Sequence, residues 1–265
     1  MKLTLIITTY NSPDLLEMTL ISIKNQTFLP SEVIIADDGS NDDTADLIVR
    51  YRKKFKINII HSWQKDLGFR AARSRNNAIL KSAGEYIVLV DGDMILHNRF
   101  VENHVSHAET GYFTQGTRVL LTKKESAKVL KDKKTNLSCF SFGLQNRKNS
   151  IHSKLLSKLF SNKKNYLTGI KSCNMAFFKK DCLRVNGFNN GFEGWGREDS
   201  EFIVRLLNSG VNRKNIRFNA IQFHLWHNES SRASLENNNQ MLEDAINEFT
   251  IKCINGINSL DNHEN

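Results

Sequence analysis

The apolar run Tyr86-Ile87-Val88-Leu89-Val90 leads straight into Asp91-Gly92-Asp93. A desolvated carboxylate is costly unless paired, so two acids cannot sit inside a buried strand and must emerge together at its carboxyl end. Two apart in an extended segment, they share one face, and Gly92 removes the side chain that would crowd a ligand. Two hard oxygen ligands in that setting suit Mg²⁺ or Mn²⁺ carrying a diphosphate. An Asx-type turn closing a strand would use the same residues. What favours the metal is the company the motif keeps. Thr8-Thr9-Tyr10-Asn11 follows the apolar run Leu3-Thr4-Leu5-Ile6-Ile7, and Asp37-Asp38-Gly39-Ser40 follows Glu32-Val33-Ile34-Ile35-Ala36.

For three polar clusters to meet, strands and helices must alternate. Ser12 can cap a helix with Pro13 in its first position and an apolar stripe at Leu15, Leu16, Leu20 and Ile23. Asp42-Asp43-Thr44 opens a second helix through Tyr51, Ile57 to His61 is a third strand, and Arg70 to Leu80 is a helix rich in cations and amides near its start. This alternation predicts an α/β fold with a doubly wound, mostly parallel sheet and right-handed crossovers. Ligands in such sheets sit beyond the carboxyl ends of the strands, where all three clusters lie.

Beyond about residue 100 the alternation weakens. Phe113 to Leu121 reads as one strand, Asn174 to Phe178 returns to the core, Asn186-Gly187-Phe188-Asn189 turns, and Ser200 to Asn208 is an amphipathic helix. The tail from Leu235 to Ile254 reads as helical, with Asp261 onward frayed.

The 265 residues, 40% hydrophobic and 25% charged, are enough for one α/β domain with a substantial core. No apolar run approaches the roughly 20 residues that a membrane helix needs, and Leu3 to Ile7 is too short for a secretion signal. The four cysteines, Cys139, Cys173, Cys182 and Cys253, form no CxxC pair, which argues against a zinc cage and a disulfide framework. A cytoplasmic protein is expected. The net charge of +9 is uneven: between Lys123 and Lys164 many lysines and Arg147 face only Glu125 and Asp132. A solvated face is the ordinary reason for such a run, and an anionic membrane surface or polyanionic acceptor is the sharper one.

With Thr8-Thr9-Tyr10-Asn11, Asp37-Asp38-Gly39-Ser40, Asp91-Gly92-Asp93 and Gly194-Trp195-Gly196-Arg197-Glu198-Asp199 in this order, the chain resembles the family 2 inverting glycosyltransferases of GT-A fold. Its second half is similar to β-1,4-galactosyltransferases and bacterial chondroitin polymerase. The resemblance runs from about Lys2 to Asn228. It implies one catalytic domain over residues 1–230, with a nucleotide-binding half at 1–100 and an acceptor-binding half at 101–230, followed by a helical tail at 231–265.

By this resemblance Thr8, Thr9, Tyr10, Asn11 and Asp38 hold the base and ribose of a UDP-sugar. Asp91 lies against the ribose and metal-bound water, Gly92 belongs to the same nucleotide-sugar site, and Asp93 ligates Mn²⁺ or Mg²⁺. His227, with His224 as a further candidate, completes the metal site; imidazole favours Mn²⁺ over Mg²⁺. Asp199 is the implied base that takes the proton of the acceptor hydroxyl, Glu198 bonds sugar hydroxyls, and Trp195 and Gly196 shape the acceptor site. Arg75 and Asn76 are placed near the diphosphate and Asn174 near the donor sugar. Arg197 departs from the resemblance, since galactosyltransferase-like relatives commonly have glycine there.

The implied reaction moves galactose, N-acetylgalactosamine or glucose to a hydroxyl of a bacterial surface glycan, such as lipooligosaccharide, capsule or a lipid-linked glycan, forming a β-linkage. Nucleic acid is not an expected partner. A metal-dependent sugar nucleotidyltransferase would share the aspartates, but it should carry a Gly-rich phosphate loop that Thr8 to Asn11 lacks. A polyanion-binding protein would use the basic stretch and leave Asp91, Asp93, Glu198 and Asp199 without a task.

Overall fold

The computed structural model describes residues 1–228 and 231–260. In chain order the first half comprises β1 (Leu3–Thr9), α1 (Pro13–Lys24), β2 (Glu32–Asp37), α2 (Asp42–Arg52), β3 (Asn58–Trp63), α3 (Ala71–Lys81), β4 (Tyr86–Asp91), β5 (Met94–Leu96) and α4 (Phe100–His107). The second half comprises β6 (Tyr112–Gln115), β7 (Arg118–Leu121), α5 (Lys123–Asp132), β8 (Leu144–Gln145), α6 (Lys154–Phe160), β9 (Asn162–Lys163), β10 (Met175–Phe178), α7 (Lys179–Arg184), α8 (Glu198–Asn208), β11 (Asn212–Asn215), β12 (Gln222–His224) and α9 (Leu235–Asn247).

The large sheet has the order β3-β2-β1-β4-β10-β6-β11-β9. Its first four strands are parallel, as the alternating pattern predicts. Beyond β4 two reversed strands join it: β10 runs antiparallel to both β4 and β6, and β9 antiparallel to β11. The short turn Ser172–Asn174 enters β10 at the edge where β4 ends, so β10 must run the other way. Because β6 opposes β10, the carboxyl ends of β6 and β11 return to the same edge as those of β1, β2 and β4.

Buried strands need apolar side chains on both faces, and the strands supply them. Leu3, Leu5 and Ile7 of β1 pack with Val33 and Ile35 against Leu16 and Leu20 of α1, Leu47 and Ile48 of α2, and Phe100 of α4. Ile6, Ile34, Ile87 and Leu89 point the other way, against Ala72 and Ile79 of α3 and Phe202, Ile203 and Leu206 of α8. Each such side chain contributes about 1.5–3 kcal/mol by leaving water. Helix α8 is further pinned by a fully buried ion pair, Arg205 to Glu201 at 2.8 Å, whose guanidinium also donates to the Val185 carbonyl.

The segment Phe113 to Leu121, expected as one strand, is two. The chain turns at Gly116, whose N–H bonds the Asn174 carbonyl, and β7 enters a second sheet of order β5-β12-β7-β8. The tail helix also ends early. Phe249 adopts a left-handed conformation and the Thr250 N–H reaches back to the Ala245 carbonyl, a C-terminal stop. From there the chain docks by hydrogen bonds rather than as helix: Asn186 donates to the Cys253 carbonyl, and Asn190 donates its backbone N–H to the Asn255 carbonyl and its amide to the Gly256 carbonyl. The expectation of fraying from Asp261 falls outside the described residues. All four cysteines are free, and among the described residues no helix is long and apolar enough to cross a membrane.

Candidate active site

Strand β1 lies between β2 and β4, and its register pairs Thr8 with Asp91 and Thr9 with Asp37. The three polar clusters therefore end side by side. The first loop is stitched to the second: Asn11, at φ 42°, receives the Asn41 N–H on its Oδ1 and donates its own N–H to Ser40. Tyr10 stays exposed and its hydroxyl donates to Asp66 at 2.9 Å. Asp37 is fully buried, takes the Ser40 N–H and meets His61 at 2.7 Å, so it shapes the loop. Asp38 is buried as well. Its two oxygens accept from Gln64 and from the Arg70 N–H, both at 2.6 Å, and burial raises its pKa above the usual carboxylate range.

The metal-ligand candidates meet because of the second sheet. Its register pairs His224 with Met94, next to Asp93, and the Leu225 N–H bonds the Asp93 carbonyl at 3.0 Å. The Trp226 N–H is then anchored on Ser126, with Lys123 over the indole at 4.4 Å, which turns His227 back toward the same carboxylate. His227 Nε2 lies 2.8 Å and His224 Nε2 3.3 Å from Asp93 Oδ2. His227 Nδ1 meets the Asn228 carbonyl at 2.7 Å, which fixes the ring and leaves Nε2 to face the acid. The three ligand atoms lie within 4.8 Å of one another. Burial opposes ionisation of Asp93, but the two imidazoles outweigh it and hold the carboxyl well below its usual range, while His227 is raised to about 9 by its bond to Asp93. Asp93 Oδ1 is buried and has no partner among the described residues. A carboxylate with a free, buried oxygen beside two convergent imidazoles fits a divalent ion such as Mn²⁺.

Across the cleft, Glu198 and Asp199 open α8, where the helix dipole favours negative charge. Two glycines in left-handed conformations, Gly194 at φ 73° and Gly196 at φ 106°, bend the preceding loop around Trp195. Arg197 holds φ 76°, also left-handed, which accounts for the glycine expected there in similar chains; its Nε donates to Asn239 at 2.7 Å. Trp195 is 41% exposed, with the Arg232 guanidinium 5.2 Å over its ring. Helix α9 clasps the same loop: Asn238, fully buried, donates to the carbonyls of Glu193 and Gly196. Asp199 Oδ2 accepts the Ser172 N–H at 3.1 Å and Oδ1 the Ser200 hydroxyl. Burial, with the adjacent Glu198 charge, pushes the Asp199 carboxyl up to about 6.

Arg75 joins the two sides. Its guanidinium bonds Glu198 at 2.9 Å and Thr8 Oγ1 at 3.2 Å, and it lies 3.7 Å from Asp91. It is thus in the cleft, but as a bridge between carboxylates rather than a free fork. Asp91 is pushed up to about 6, first by burial and then by the Asp93 charge. Gly92 sits at the strand end, its N–H on the Thr8 carbonyl and its carbonyl on Thr19. Thr9 Oγ1 is buried without a partner among the described residues.

Two residues expected at the ligand are instead in the core. Asn76 is fully buried and its amide is spent on the Phe188 backbone and Asn190. Asn174 is also buried, donating to the carbonyls of Thr117 and Ala220 and meeting His104 at 3.0 Å. Gln64, Asp66 and Ser172 belong to the site and were not anticipated. Gln64 and Asp66 follow the end of β3, the one parallel strand whose carboxyl end was not read as a polar cluster; Ser172 acts through its backbone, which leaves no side-chain signal.

A half-parallel sheet, a carboxylate–imidazole cluster at its edge and a second acidic pair on a facing helix have the arrangement of the GT-A fold. Residues 4–186 match the family described as Glycosyl transferase family 2, and the chain belongs to that family. Residues 155–228 match the N-terminal domain of galactosyltransferase. Among curated relatives, hyaluronan synthase of Pasteurella multocida is 29% identical over 78% of this chain and 23% of its own length. Chondroitin synthase of Escherichia coli is 24% identical over 89% of this chain and 37% of its own. The chain thus spans well under half of either. In three dimensions S. aureus TarS 1-349 in complex with UDP aligns at TM-score 0.62 and 16% identity, over 91% of this chain and 64% of that one. The mannosyltransferase PcManGT from Pyrobaculum calidifontis, in complex with GDP-Man and Mn²⁺, aligns at 0.57 and 18% identity, over 84% and 56%. At such identities the likeness speaks for the fold.

Proposed function

We propose that this chain is a metal-dependent, inverting hexosyltransferase that moves galactose, N-acetylgalactosamine or glucose from a UDP-sugar to a hydroxyl of a bacterial surface glycan. The observation that carries it is the cluster of Asp93, His224 and His227 beside Asp91, which Arg75 ties to Glu198, the neighbour of Asp199. The TarS structures in complex with UDP and with UDP-GlcNAc, and the glycan synthases among the relatives, support a UDP donor and a glycan acceptor.

Asp93, His224 and His227 would hold a divalent ion, Mn²⁺ before Mg²⁺, which when bound neutralises charge on the departing diphosphate. The protein's own residues do the rest. Tyr10 and Asn11 wall the nucleotide side, and Trp195 offers a flat face to a pyranose. Asp199 accepts the proton of the attacking hydroxyl as the new glycosidic bond forms and the bond from the anomeric carbon to UDP breaks. Its carboxyl, held near 6, is ionised at neutral pH yet still basic enough to take the proton. The Ser172 N–H fixes its orientation, and Arg75 keeps Glu198 and Asp91 from repelling the arriving charge apart.

Peripheral contact with an anionic membrane through the basic stretch belongs to the same reading. Phe140 and Phe142 are 87% and 80% exposed and lie with Ile151 beside Arg147 and Lys148, an apolar tip in a basic rim. The reading is tested by a panel of UDP-sugars and GDP-mannose, scored for Mn²⁺-dependent hydrolysis and for protection against thermal unfolding. One or two UDP-hexoses should be hydrolysed and protect; release of pyrophosphate, or indifference to every UDP-sugar, would refute it.

A further inference from the structure

A cavity of about 500 Å³ opens at the carboxyl ends of β6 and β11. Gln115 and Asn215 are paired there and face it, on the same sheet edge as Asp91. It is not the cleft already described, though one wall is shared. Segment 168–172 lines it at Thr168 and Gly169, then gives the Lys171 N–H to Gln115 and the Ser172 N–H to Asp199.

Its chemistry is set by Arg213, which is 3% exposed. The other deeply buried arginines, Arg75 and Arg205, are each paired with carboxylates. Arg213 has no acidic partner among the described residues. Its Nη1 donates to the Tyr166 and Thr168 carbonyls, its guanidinium lies 4.1 Å over the Tyr166 ring, and its Nε is buried without an acceptor among the described residues. A buried cation is costly unless something anionic meets it. Arg217 also lines the cavity, and no residue of its lining is an acid. Phe160, Tyr166 and Phe218 supply aromatic walls. Phe218 is held at φ 59°, a conformation that bulky residues avoid and that persists where the surroundings impose it.

We propose that this cavity is an acceptor subsite for an anionic group, a sugar carboxylate or a phosphate, held by Arg213 and Arg217 while the aromatic walls pack on the adjoining sugar or linker. The assignment of an acceptor rests on the transferase reading; the anion site does not. The arginine fork matches either anion bidentately, and a neutral hydroxyl would leave the charge unmet.

The test is ligand-observed NMR on the full chain with UDP and Mg²⁺ present, using glucuronate, glycerol phosphate and glucose as separate probes. At least one anionic probe should bind about tenfold more tightly than glucose, and R217A should remove most of that advantage while UDP affinity stays the same. R213Q should abolish it. Because R217A alters an exposed side chain, it remains informative even where R213Q fails to fold. Preference for glucuronate marks a uronic-acid acceptor, and preference for glycerol phosphate a phosphate-bearing one. Equal binding of glucose, no binding of either anion, or anion binding untouched by R217A would overturn the proposal. Failure of UDP to bind would instead strike the transferase reading and leave the anion comparison to be scored alone.

Discussion

Asp199→Asn isolates the proposed base. The asparagine Oδ1 can still accept the Ser172 N–H that Asp199 accepts at 3.1 Å, and Glu198 keeps its 2.9 Å bond to Arg75, so the loop and helix start should persist. What is lost is the capacity to take a proton. With the carboxyl near 6, about nine-tenths of the wild-type molecules carry the active carboxylate at pH 7. A positioned base contributes about 10²–10⁴ in rate, which corresponds to roughly 3–5 kcal/mol of transition-state stabilisation. Once the donor panel identifies a sugar, kcat for transfer should fall by that factor, measured by coupled detection of UDP release. UDP affinity with Mn²⁺, measured by calorimetry, should stay within about twofold, because the proposed role of Asp199 is toward the acceptor and not the nucleotide. Transfer within tenfold of wild type, or loss of UDP binding, would refute the role.

The same carboxyl predicts a pH profile: burial raises its pKa, the ionised form is the active one, and kcat/KM should therefore fall as pH drops through about 6 and lose roughly tenfold per unit below it. A flat profile between pH 5 and pH 7 would argue against Asp199 as base. His227→Ala removes a half-exposed ring whose Nε2 is 2.8 Å from Asp93, so Mn²⁺ affinity, read by electron paramagnetic resonance, should weaken at least about tenfold with little change in melting temperature. Glu201→Gln leaves the buried Arg205 charge without its partner and should cost about 3–5 kcal/mol in urea unfolding. Gly256→Ala places a Cβ on the Asn186 carbonyl and should loosen the tail, seen as faster hydrogen exchange in residues 248–260 with UDP binding retained.

The parallel half of the sheet was legible because each strand is a short apolar run ending in a polar cluster, and a buried strand has no other way to dispose of such residues. That logic located Asp91, Asp93 and the Thr8 to Asn11 loop directly. The second half was harder for physical reasons. The break at Gly116 depends on the Asn174 carbonyl, remote in sequence, so Phe113 to Leu121 reads as one strand. Asn76 sits among cations and looks like a phosphate ligand, yet it lies four residues after Ala72 and three before Ile79, on the helix face that packs into the core. The tail beyond Asn247 is held by asparagine amides rather than an apolar stripe, and such bonds leave no periodicity to read. The approach of His224 to Asp93 is a matter of strand register between β5 and β12, which resemblance implied and residue spacing alone did not.

Crystals of the protein grown with Mn²⁺ and UDP, measured at the manganese absorption edge, would show whether Asp93 and its two histidines hold the metal. One anomalous peak is expected within bonding distance, about 2.0–2.3 Å, of Asp93 and His227, next to the UDP diphosphate and on the Asp91 side of the cleft that faces Asp199. A peak at another cluster, or UDP bound with no metal between it and Asp93, would contradict it.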